Sequence, residues 1–310
     1  MKRVQGLQQR LAHIAGRAKT PQGRSALLRS CLFDVIGWES PAVAVQVGDL
    51  WYFVPTKDVL GKLTFLEGGF EQQVMEAAVG LLEERLGHQP LAGRTFVDVG
   101  ANIGTTTIPA VKMLGARHAI AIEPAADNCR LLRANIAANN LDGRVTVVQV
   151  ALSDHAGEQH LEIGPDNSGD CRIRLTSDPG AIGESTWATE RVSSATFDEL
   201  CDTRDIGMAD VGLVWMDTQG HEAHVLEGAS CLLDSPVPVM AEYWPYGLRR
   251  AGALERLHAI VAANYRVVLD VRASMESGRV EEVPASNVGA LAERYDSEHH
   301  WEYTDIALLK

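Results

Sequence analysis

The sequence lacks any apolar run long enough to cross a bilayer. Apolar stretches such as Val211 to Met216 and Val237 to Ala241 are far shorter than the roughly 18 to 20 residues that a spanning helix needs. A secretory leader and a Cys-x-x-Cys pair are also lacking, and the five cysteines are odd in number and widely scattered. These absences predict a protein without a transmembrane segment, disulfide framework or CxxC metal motif, in a reducing, cytoplasmic compartment.

Acidic residues are absent from the first 33 residues, although acids outnumber bases in the whole chain. Residues 1–33 hold seven lysines and arginines, whereas the rest carries 21 basic against 41 acidic residues. Because phosphate neutralisation supplies most nucleic-acid affinity, the acidic body argues against a nucleic-acid partner.

The basic N-terminal arm has its own apolar pattern. Apolar residues recur there at steps of three and four, which predicts a helix with one apolar face. Such a helix would cover the acidic body, contact a membrane surface or an acidic partner, or pack on a second copy to form a homodimer. The apolar positions are Val4, Leu7, Leu11, Ile14 and Ala18.

From Thr95 onward, β-rich runs alternate with helical segments, which indicates an α/β domain with a mainly parallel sheet. The predicted strands are Thr95 to Val99, His118 to Glu123, Val145 to Val150, Gly212 to Asp217, Val237 to Glu242, Tyr265 to Val271 and Asp305 to Leu309. The predicted helices are Phe70 to Leu86, Ile103 to Leu114, Asn128 to Asn139, His221 to Leu226 and Leu248 to Ala263. We therefore expect a helical and β-rich extension over residues 1–69 and a Rossmann-like domain over 70–310. A hairpin insertion over about 154–195, with a short strand at Cys171 to Leu175, would lie beside the ligand cleft.

The strongest motif carries the first of these strands into a glycine turn. It reads Phe96-Val97-Asp98-Val99-Gly100-Ala101-Asn102-Ile103-Gly104, and its small glycines let backbone N–H groups line a ligand. The second strand ends at Glu123-Pro124, where a carboxylate can accept hydrogen bonds from both hydroxyls of a ribose. Together these features predict an adenosine-containing ligand.

The amino-acid sequence of the loop discriminates between the candidate ligands. It departs from G-x-G-x-x-G, and Asp98 would repel a diphosphate but suit the amino and sulfonium side of S-adenosylmethionine. S-adenosylmethionine is therefore favoured over a nicotinamide or flavin dinucleotide, and a structural turn without a ligand is the third interpretation.

With these motifs in order, residues Phe70 to Leu309 resemble the FkbM-type methyltransferase family. Further matching segments are Gly69-Phe70-Glu71, Val150-Ala151-Leu152-Ser153-Asp154, Asn167-Ser168-Gly169, Thr196-Phe197-Asp198-Glu199-Leu200 and Asp217-Thr218-Gln219-Gly220-His221-Glu222. The resemblance implies a class I methyltransferase fold with a seven-stranded, mostly parallel sheet. It also implies S-adenosylmethionine as methyl donor, S-adenosylhomocysteine as product and hydroxyl oxygens as acceptors. Residues implied to contact the cofactor are Glu71, Asp98, Gly100, Asn102, Gly104, Glu123, Pro124, Ala151, Leu152 and Asp217.

Catalysis is predicted at the end of the fourth strand. Asp217 is the first candidate base and His221 the second, with a helix cap and a packing role as their respective alternatives. Glu222 would bind the acceptor or merely favour the start of the following helix. The fifth strand ends in Glu242 and Trp244, which would form an acceptor wall or, alternatively, a buried strand end.

The acceptor itself is left open, with sugars, polyketides, lipid-linked saccharides and peptides as candidates. Asp217 and Glu242 raise the alternative of a divalent metal, which two carboxylates alone support weakly. The rival function is a non-catalytic scaffold that binds S-adenosylmethionine within a biosynthetic complex.

Overall fold

The computed structural model describes residues 21–296 and 300–310 and divides the chain into two compact units. One unit lies within residues 1–70 and the other comprises Glu71–Lys310. The predicted amphipathic helix with apolar positions from Val4 to Ala18 lies outside the described residues. In the described part of the chain, no helix is both long and apolar enough to span a bilayer.

The N-terminal unit combines two helices with an antiparallel hairpin. Its elements are α1 (Pro21–Glu39), β1 (Ala42–Val47), β2 (Leu50–Pro55) and α2 (Val59–Glu67). A two-residue turn joins Val47 to Leu50, and Gly48 supplies the positive φ of 56° that this tight connection needs. Asp58 caps α2 by accepting a hydrogen bond from Gly61 N at 2.8 Å. Local turn and cap chemistry therefore sets the hairpin connection and the start of α2.

The larger unit alternates strands and helices along the chain. Its helices are α3 (Phe70–Leu86), α4 (Thr107–Lys112), α5 (Ala126–Ala138), α6 (Phe197–Arg204), α7 (Glu222–Glu227), α8 (Ser230–Leu233), α9 (Pro245–Arg250), α10 (Leu254–Asn264), α11 (Val271–Ser277) and α12 (Ala290–Tyr295). Its strands are β3 (Thr95–Val99), β4 (His118–Ile122), β5 (Val145–Val148), β6 (Ala151–Leu152), β7 (Gly157–Ile163), β8 (Arg172–Ile173), β9 (Ala188–Ala195), β10 (Val211–Met216), β11 (Val239–Tyr243), β12 (Val267–Asp270), β13 (Glu282–Pro284) and β14 (Thr304–Leu309).

The main sheet is mixed and has eight strands in the described residues, which corrects the prediction of a seven-stranded, mostly parallel sheet. Its order is β13-β12-β14-β11-β10-β3-β4-β5. The five strands from β11 to β5 pair in parallel, whereas β14 is antiparallel to both β11 and β12. The extra strand, β13, pairs with the edge of β12. It escaped the sequence analysis because three residues are too few to show a strand period.

The central strands are buried along their whole length, as expected for parallel strands covered on both faces. Apolar side chains of β3, β10 and β11 form one core cluster with those of α7 and α10. Polar groups at the ends of these strands are therefore buried next to a closely packed apolar core.

The insertion is a second sheet rather than a hairpin alone. It has four strands in the order β6-β9-β7-β8, with β7 and β9 antiparallel over Gly157–Ile163 and β6 parallel to β9. The strand expected at Cys171 to Leu175 is confined to β8, which pairs with β7 through two residues. This sheet begins where the chain leaves β5, next to the carboxyl edge of the main sheet.

Candidate active site

Four carboxylates meet at one edge of the sheet because β4, β3, β10 and β11 are neighbours that run in parallel. Asp98 lies within β3, and Glu123, Asp217 and Glu242 lie at or just beyond the carboxyl ends of β4, β10 and β11. The backbone N–H of Asp217 donates to the Val99 carbonyl at 2.9 Å, which extends the β3–β10 pairing into the loop. Ligands of open α/β sheets bind at this edge.

The glycine turn is closely packed against the neighbouring loop. The N–H groups of Gly100 and Ala101 both donate to the Ile122 carbonyl, at 2.9 and 3.0 Å. Gly100 has a φ of 88°, and a Cβ atom there would overlap the carbonyl oxygen of Asp217. Asn102 is also left-handed, with a φ of 49°, and Gly104 has a φ of 93°. The turn therefore requires glycine and asparagine for their backbone conformations.

Glu123 is buried and held in position by backbone groups. Its Oε2 accepts from Asn102 N at 2.9 Å, and its Oε1 accepts from Ala125 N at 2.8 Å and from Asn128 Nδ2 at 3.4 Å. Burial raises the pKa of Glu123 to about 7, against the lowering effect of these hydrogen bonds. Pro124, between Glu123 and Ala125, restricts the backbone here. The carboxylate thus joins the glycine turn to the end of β4.

Asp98 is buried with one oxygen satisfied and the other open. Its Oδ2 accepts from the hydroxyls of Thr106, at 2.6 Å, and Thr107, whereas Oδ1 has no hydrogen-bond partner among the described residues. Burial raises the pKa of Asp98 to about 6. Burial also raises the pKa of Glu71 to about 7, and a hydrogen bond from Thr105 opposes this shift. An unpartnered buried carboxylate oxygen favours a cationic ligand at this position.

Gln219 connects the carboxylate that follows β10 with the carboxylate near the end of β11. Its Nε2 donates to Asp217 Oδ1 at 2.7 Å and to Glu242 Oε2 at 3.1 Å. Burial raises the pKa of Asp217 to about 6, and burial and the charge of Asp217 raise the pKa of Glu242 well above its ordinary value. Gln219 is thus a site residue that the sequence analysis missed, although it lies inside the quoted Asp217 to Glu222 motif.

Glu222 holds the loop between β10 and α7 in shape. Its Oε1 accepts from Thr218 N at 2.9 Å, Thr218 Oγ1 at 2.8 Å and Gly220 N at 3.3 Å. Burial raises the pKa of Glu222 to about 7. These contacts favour the loop and helix-start interpretation of Glu222, and acceptor binding by this residue stays a prediction.

Asp305 joins the cluster from the last strand and had no sequence signal of its own. It is the antiparallel partner of Glu242 in the β11–β14 pairing. Burial raises the pKa of Asp305 to about 7, and the charges of Asp217 and Glu71 add to this effect. Only the position of β14 beside β11 could reveal this residue, because Asp217 and Asp305 are 88 positions apart in the sequence.

His221 is buried and contacts the side chains of Ser153 and His224. Its Nε2 lies 3.0 Å from Ser153 Oγ, and its ring stacks on His224 with centroids 4.3 Å apart. Burial lowers the pKa of His221 to about 3, so the ring is neutral at physiological pH. This geometry favours a packing role in which His221 joins Ser153 to the loop between β10 and α7, and a role for His221 as base stays a prediction.

Trp244 does not present a free aromatic face. Its ring is buried, its Nε1 donates to the His300 carbonyl at 2.8 Å, and the Arg172 guanidinium lies 4.8 Å from its centre. The same guanidinium lies 4.7 Å from the ring centre of Trp187, so Arg172 is held between two indoles. Contact of Trp244 with an acceptor stays a prediction that this packing does not favour.

A buried network of charges fastens the insertion to α9. Arg250 donates two hydrogen bonds of 3.0 Å to Glu162 and lies 3.4 Å from Glu184, while Arg172 pairs with Asp170. Beside this network is a small recess that is partly open to solvent. The recess is lined by Arg172, Ile173, Leu175, Gln219, Gly220, His221, Gly247, Arg250 and Ala251.

The tip of the insertion lies against the glycine turn. Asn128 Nδ2 donates to the Ser168 carbonyl at 3.0 Å, and a Cβ atom on Gly169 would lie 3.3 Å from Asn102 Nδ2. The buried β6 residues Ala151 and Leu152 lead into the insertion sheet. The residues 167–169, singled out in the sequence, are thus neighbours of the turn and of Asn128.

No group of three or more His, Cys, Asp or Glu side chains suited to a metal ion occurs within residues 21–296 and 300–310. The carboxylate pair suggested from the sequence, Asp217 and Glu242, is instead bridged by the amide of Gln219.

Comparison with known proteins gives one family match. The model of the methyltransferase FkbM domain matches residues 98–267, which is more than half of the chain. No curated protein matches. Among solved structures, the chain is similar to methyltransferase FkbM from Methylobacillus flagellatus KT, with 17% identity over 70% of this chain and 43% of that chain, at a TM-score of 0.41. It therefore spans less than half the length of that protein.

Two further structures are similar at comparable levels. One is the O-methyltransferase from Bacillus cereus in complex with SAH, with 14% identity over 77% of this chain and 80% of that chain, at a TM-score of 0.41. The other is TYW2 from M. jannaschii in complex with AdoMet, with 12% identity over 87% of this chain and 84% of that chain, at a TM-score of 0.43.

Proposed function

Because the chain belongs to the methyltransferase FkbM family, we propose that it transfers a methyl group from S-adenosylmethionine to a hydroxyl oxygen. The acceptor in this proposal is a small or glycosylated molecule such as a sugar, a polyketide or another secondary metabolite. The observation that carries the proposal is the buried Asp98 oxygen without a partner among the described residues, next to a turn that only glycine fits.

The residues at the sheet edge fit the cofactor by charge and shape. Glu123, held by Asn102 N and Ala125 N, is the proposed acceptor of the ribose hydroxyl hydrogen bonds. Asp98 and Glu71 are the proposed partners of the cationic methionine end, since both are carboxylates with few compensating charges nearby. When bound, S-adenosylmethionine supplies a methyl group already activated on a sulfonium sulfur.

The remaining proposed contacts follow from the local packing. Gly100 allows the close approach of the Asp217 backbone, and Asn102 and Gly104 shape the turn that would face the ligand. Ala151 and Leu152 are the proposed neighbours of the adenine, where the chain leaves the main sheet.

Asp217 is the proposed base that accepts the proton of the acceptor hydroxyl. An alcohol becomes strongly acidic once its oxygen is methylated, so a nearby carboxylate assists the transfer. The pKa of Asp217, raised by burial to about 6, leaves it ionised at pH 7 and close to the operating pH. Gln219 would orient its carboxylate, and Glu242 would face the acceptor from the next strand. Alignment of the reacting atoms by these residues would account for much of the rate acceleration.

Calorimetric titration with S-adenosylmethionine and S-adenosylhomocysteine, each with and without magnesium, tests the proposal directly. We expect micromolar binding of both. Glu123→Gln should weaken binding about tenfold or more, since hydrogen bonds to a charged group contribute roughly 1.5–3 kcal/mol. Asp217→Asn should leave binding within about threefold while reducing turnover on an accepted hydroxyl about 100-fold or more.

Glu84→Gln is the matched control, because Glu84 is an exposed carboxylate on α3. It should change neither quantity. Absence of binding to both nucleosides would contradict the proposal. Tight binding with no turnover on any acceptor class would instead identify a non-catalytic S-adenosylmethionine-binding scaffold, and dependence of binding on magnesium would reinstate the metal.

A further inference from the structure

Three carboxylates form a row across the neighbouring strands β10, β11 and β14. The last residue of β10 pairs with the residue before Glu242, which brings Asp217 level with Glu242. Asp305 is the direct partner of Glu242 in the antiparallel β11–β14 register. Residues directly opposite on such strands share one face of the sheet, with Cβ atoms about 5 Å apart. This carboxylate row, composed of Asp217, Glu242 and Asp305, therefore concentrates negative charge at one place.

The carboxylate row has no cationic partner in the part of the chain that the structure describes, which is residues 21–296 and 300–310. No lysine, arginine or histidine there forms an ion pair with any of the three groups. The neutral amide of Gln219 donates to one oxygen of Asp217 and one oxygen of Glu242. Like charges directly opposite in a sheet are destabilising, so the row needs a positive charge or protons from elsewhere.

Glu222 adds a fourth acid beside the row. It is fully buried, and its Oε1 accepts the hydrogen bonds of the loop, whereas its Oε2 has no hydrogen-bond partner among the described residues. The charge of Glu222 contributes to the raised pKa of Glu242, which shows that the two carboxylates are close. A buried carboxylate oxygen without a partner is costly, and a bound donor group would remove that cost.

An aromatic side chain borders the same row. Tyr303 lies just before β14, and burial and the charges of Glu242 and Asp305 raise the pKa of its phenol. Its side chain is 36% exposed, so a ligand can reach it. The nearby Arg272 donates to the Tyr303 carbonyl at 2.9 Å and lies 3.5 Å from Glu302, instead of pairing with the row. Carboxylates next to an aromatic ring are suited to binding an ammonium group.

The proposed cofactor does not supply the missing positive charge. S-adenosylmethionine carries an ammonium, a sulfonium and a carboxylate, so its net charge is that of a single cation. Two other buried carboxylates, Asp98 and Glu71, are already the proposed partners of that end of the molecule. The carboxylate row stays in excess, and the molecule that would lie beside Asp217 during methyl transfer is the acceptor.

We propose that the acceptor carries a protonated amine near the hydroxyl that is methylated, as amino sugars and amino alcohols do. The ammonium group binds at Glu242 and Asp305 beside Tyr303, while the hydroxyl faces Asp217. This inference rests on the proposed methyl transfer and adds the chemical class of the acceptor. Asp305 is then a specificity-determining residue, because its charge selects acceptors with an amine.

An inorganic cation is a poorer occupant of the row. No group of three or more His, Cys, Asp or Glu side chains within residues 21–296 and 300–310 has an arrangement suited to a metal ion. The Gln219 amide also directs an N–H donor at both Asp217 and Glu242, and an N–H group cannot ligate a metal.

Calorimetric titration of the full chain saturated with S-adenosylhomocysteine tests this inference with matched probes. One set is glucosamine with N-acetylglucosamine, and the other is 2-aminocyclohexanol with cyclohexane-1,2-diol. We expect each amine to bind at least about tenfold more tightly than its neutral partner, because hydrogen bonds between charged groups are the stronger ones. With S-adenosylmethionine bound instead, an amine that is methylated should show the lower KM of its pair.

Two variants remove charge from the row with little change in shape. Asp305→Asn and Glu242→Gln should each weaken binding of the amines about tenfold, and change binding of the neutral probes and of S-adenosylhomocysteine by less than about threefold. A merely structural role would weaken the binding of amine and neutral probes alike, which would contradict the inference. Asp202→Asn, at an exposed carboxylate of α6, is the matched control and should change none of these affinities.

Equal binding of amine and neutral probes in both sets would overturn the inference and show that protons neutralise the row. Probe binding that requires magnesium or manganese, without an advantage for the amines, would overturn it in favour of an inorganic cation. In both cases, binding of S-adenosylhomocysteine would leave the proposed methyl transfer intact. Failure of S-adenosylmethionine and S-adenosylhomocysteine to bind would overturn the proposed function and this inference with it.

Discussion

Replacing Asp217 with asparagine should stabilise the protein without bound cofactor at neutral and higher pH. Burial raises the pKa of this carboxyl to about 6, whereas an aspartate in an unfolded chain has a pKa of about 3.9. Each unit of difference corresponds to about 1.36 kcal/mol, so the charged form lowers the free energy of unfolding by roughly 3 kcal/mol. Asparagine has the same shape, and its Oδ1 keeps the hydrogen bond from Gln219 Nε2.

The number of bound protons gives the pH dependence of this effect. Between about pH 4 and 6, the folded protein keeps a proton on Asp217 that the unfolded chain has largely released, so stability falls as the pH rises. Above about pH 6.5 both states are ionised, and the destabilisation stays at its full value. The gain from Asp217→Asn should therefore be about 0.5 kcal/mol at pH 4 and about 3 kcal/mol at pH 8.

Urea and thermal unfolding followed by circular dichroism at pH 4 and pH 8 would measure this gain. A gain of 3 kcal/mol corresponds to an increase in Tm of roughly 5–6 °C at pH 8. Asp142→Asn, at an exposed loop carboxylate, is the control and should change Tm little at either pH. Equal gains at both pH values, or a variant less stable than the unaltered protein at pH 8, would refute the argument that a buried charge is being removed.

Three further predictions concern Gly100, Arg172 and the pH dependence of turnover. Gly100→Ala should lower the free energy of unfolding in urea by more than about 2 kcal/mol and abolish cofactor binding, because Gly100 has a φ of 88° and a Cβ atom there would overlap the Asp217 carbonyl. The control Gly143→Ala should be tolerated, because a Cβ atom on Gly143 would lie in open space. Arg172→Met should lower the free energy of unfolding by about 3–5 kcal/mol, because it leaves the buried carboxylates of Asp170 and Glu184 unpaired. The control Arg191→Met removes an exposed ion pair and should lower the free energy of unfolding by about 1 kcal/mol or less. Similar losses in the two variants would contradict the assignment of Arg172 to a buried ion-pair network. Turnover should rise with pH through about pH 6 as the base Asp217 ionises, and a flat profile would exclude that role.

Boundaries of the elements show where local sequence signals are sufficient. The helix expected from Ile103 to Leu114 is the shorter α4, since Gly104 has a φ of 93° that no helix continues. The helix expected from Leu248 to Ala263 is interrupted into α9 and α10 at Gly252, with a φ of 64°. Apolar periodicity indicates which segments pack, but the backbone conformation of a glycine decides where each helix ends.

The sequence by itself determined the α/β alternation, the family resemblance and the residues that line the glycine turn. These features depend on strand periods, turn chemistry and the identity of adjacent residues, all of which are readable along the chain. Only the tertiary structure decided that Asp305 joins Asp217 and Glu242, that Arg172 lies between two tryptophans, and that His221 contacts Ser153. Strand order and side-chain burial bring these distant residues together, and they depend on how the whole sheet is paired rather than on any local segment.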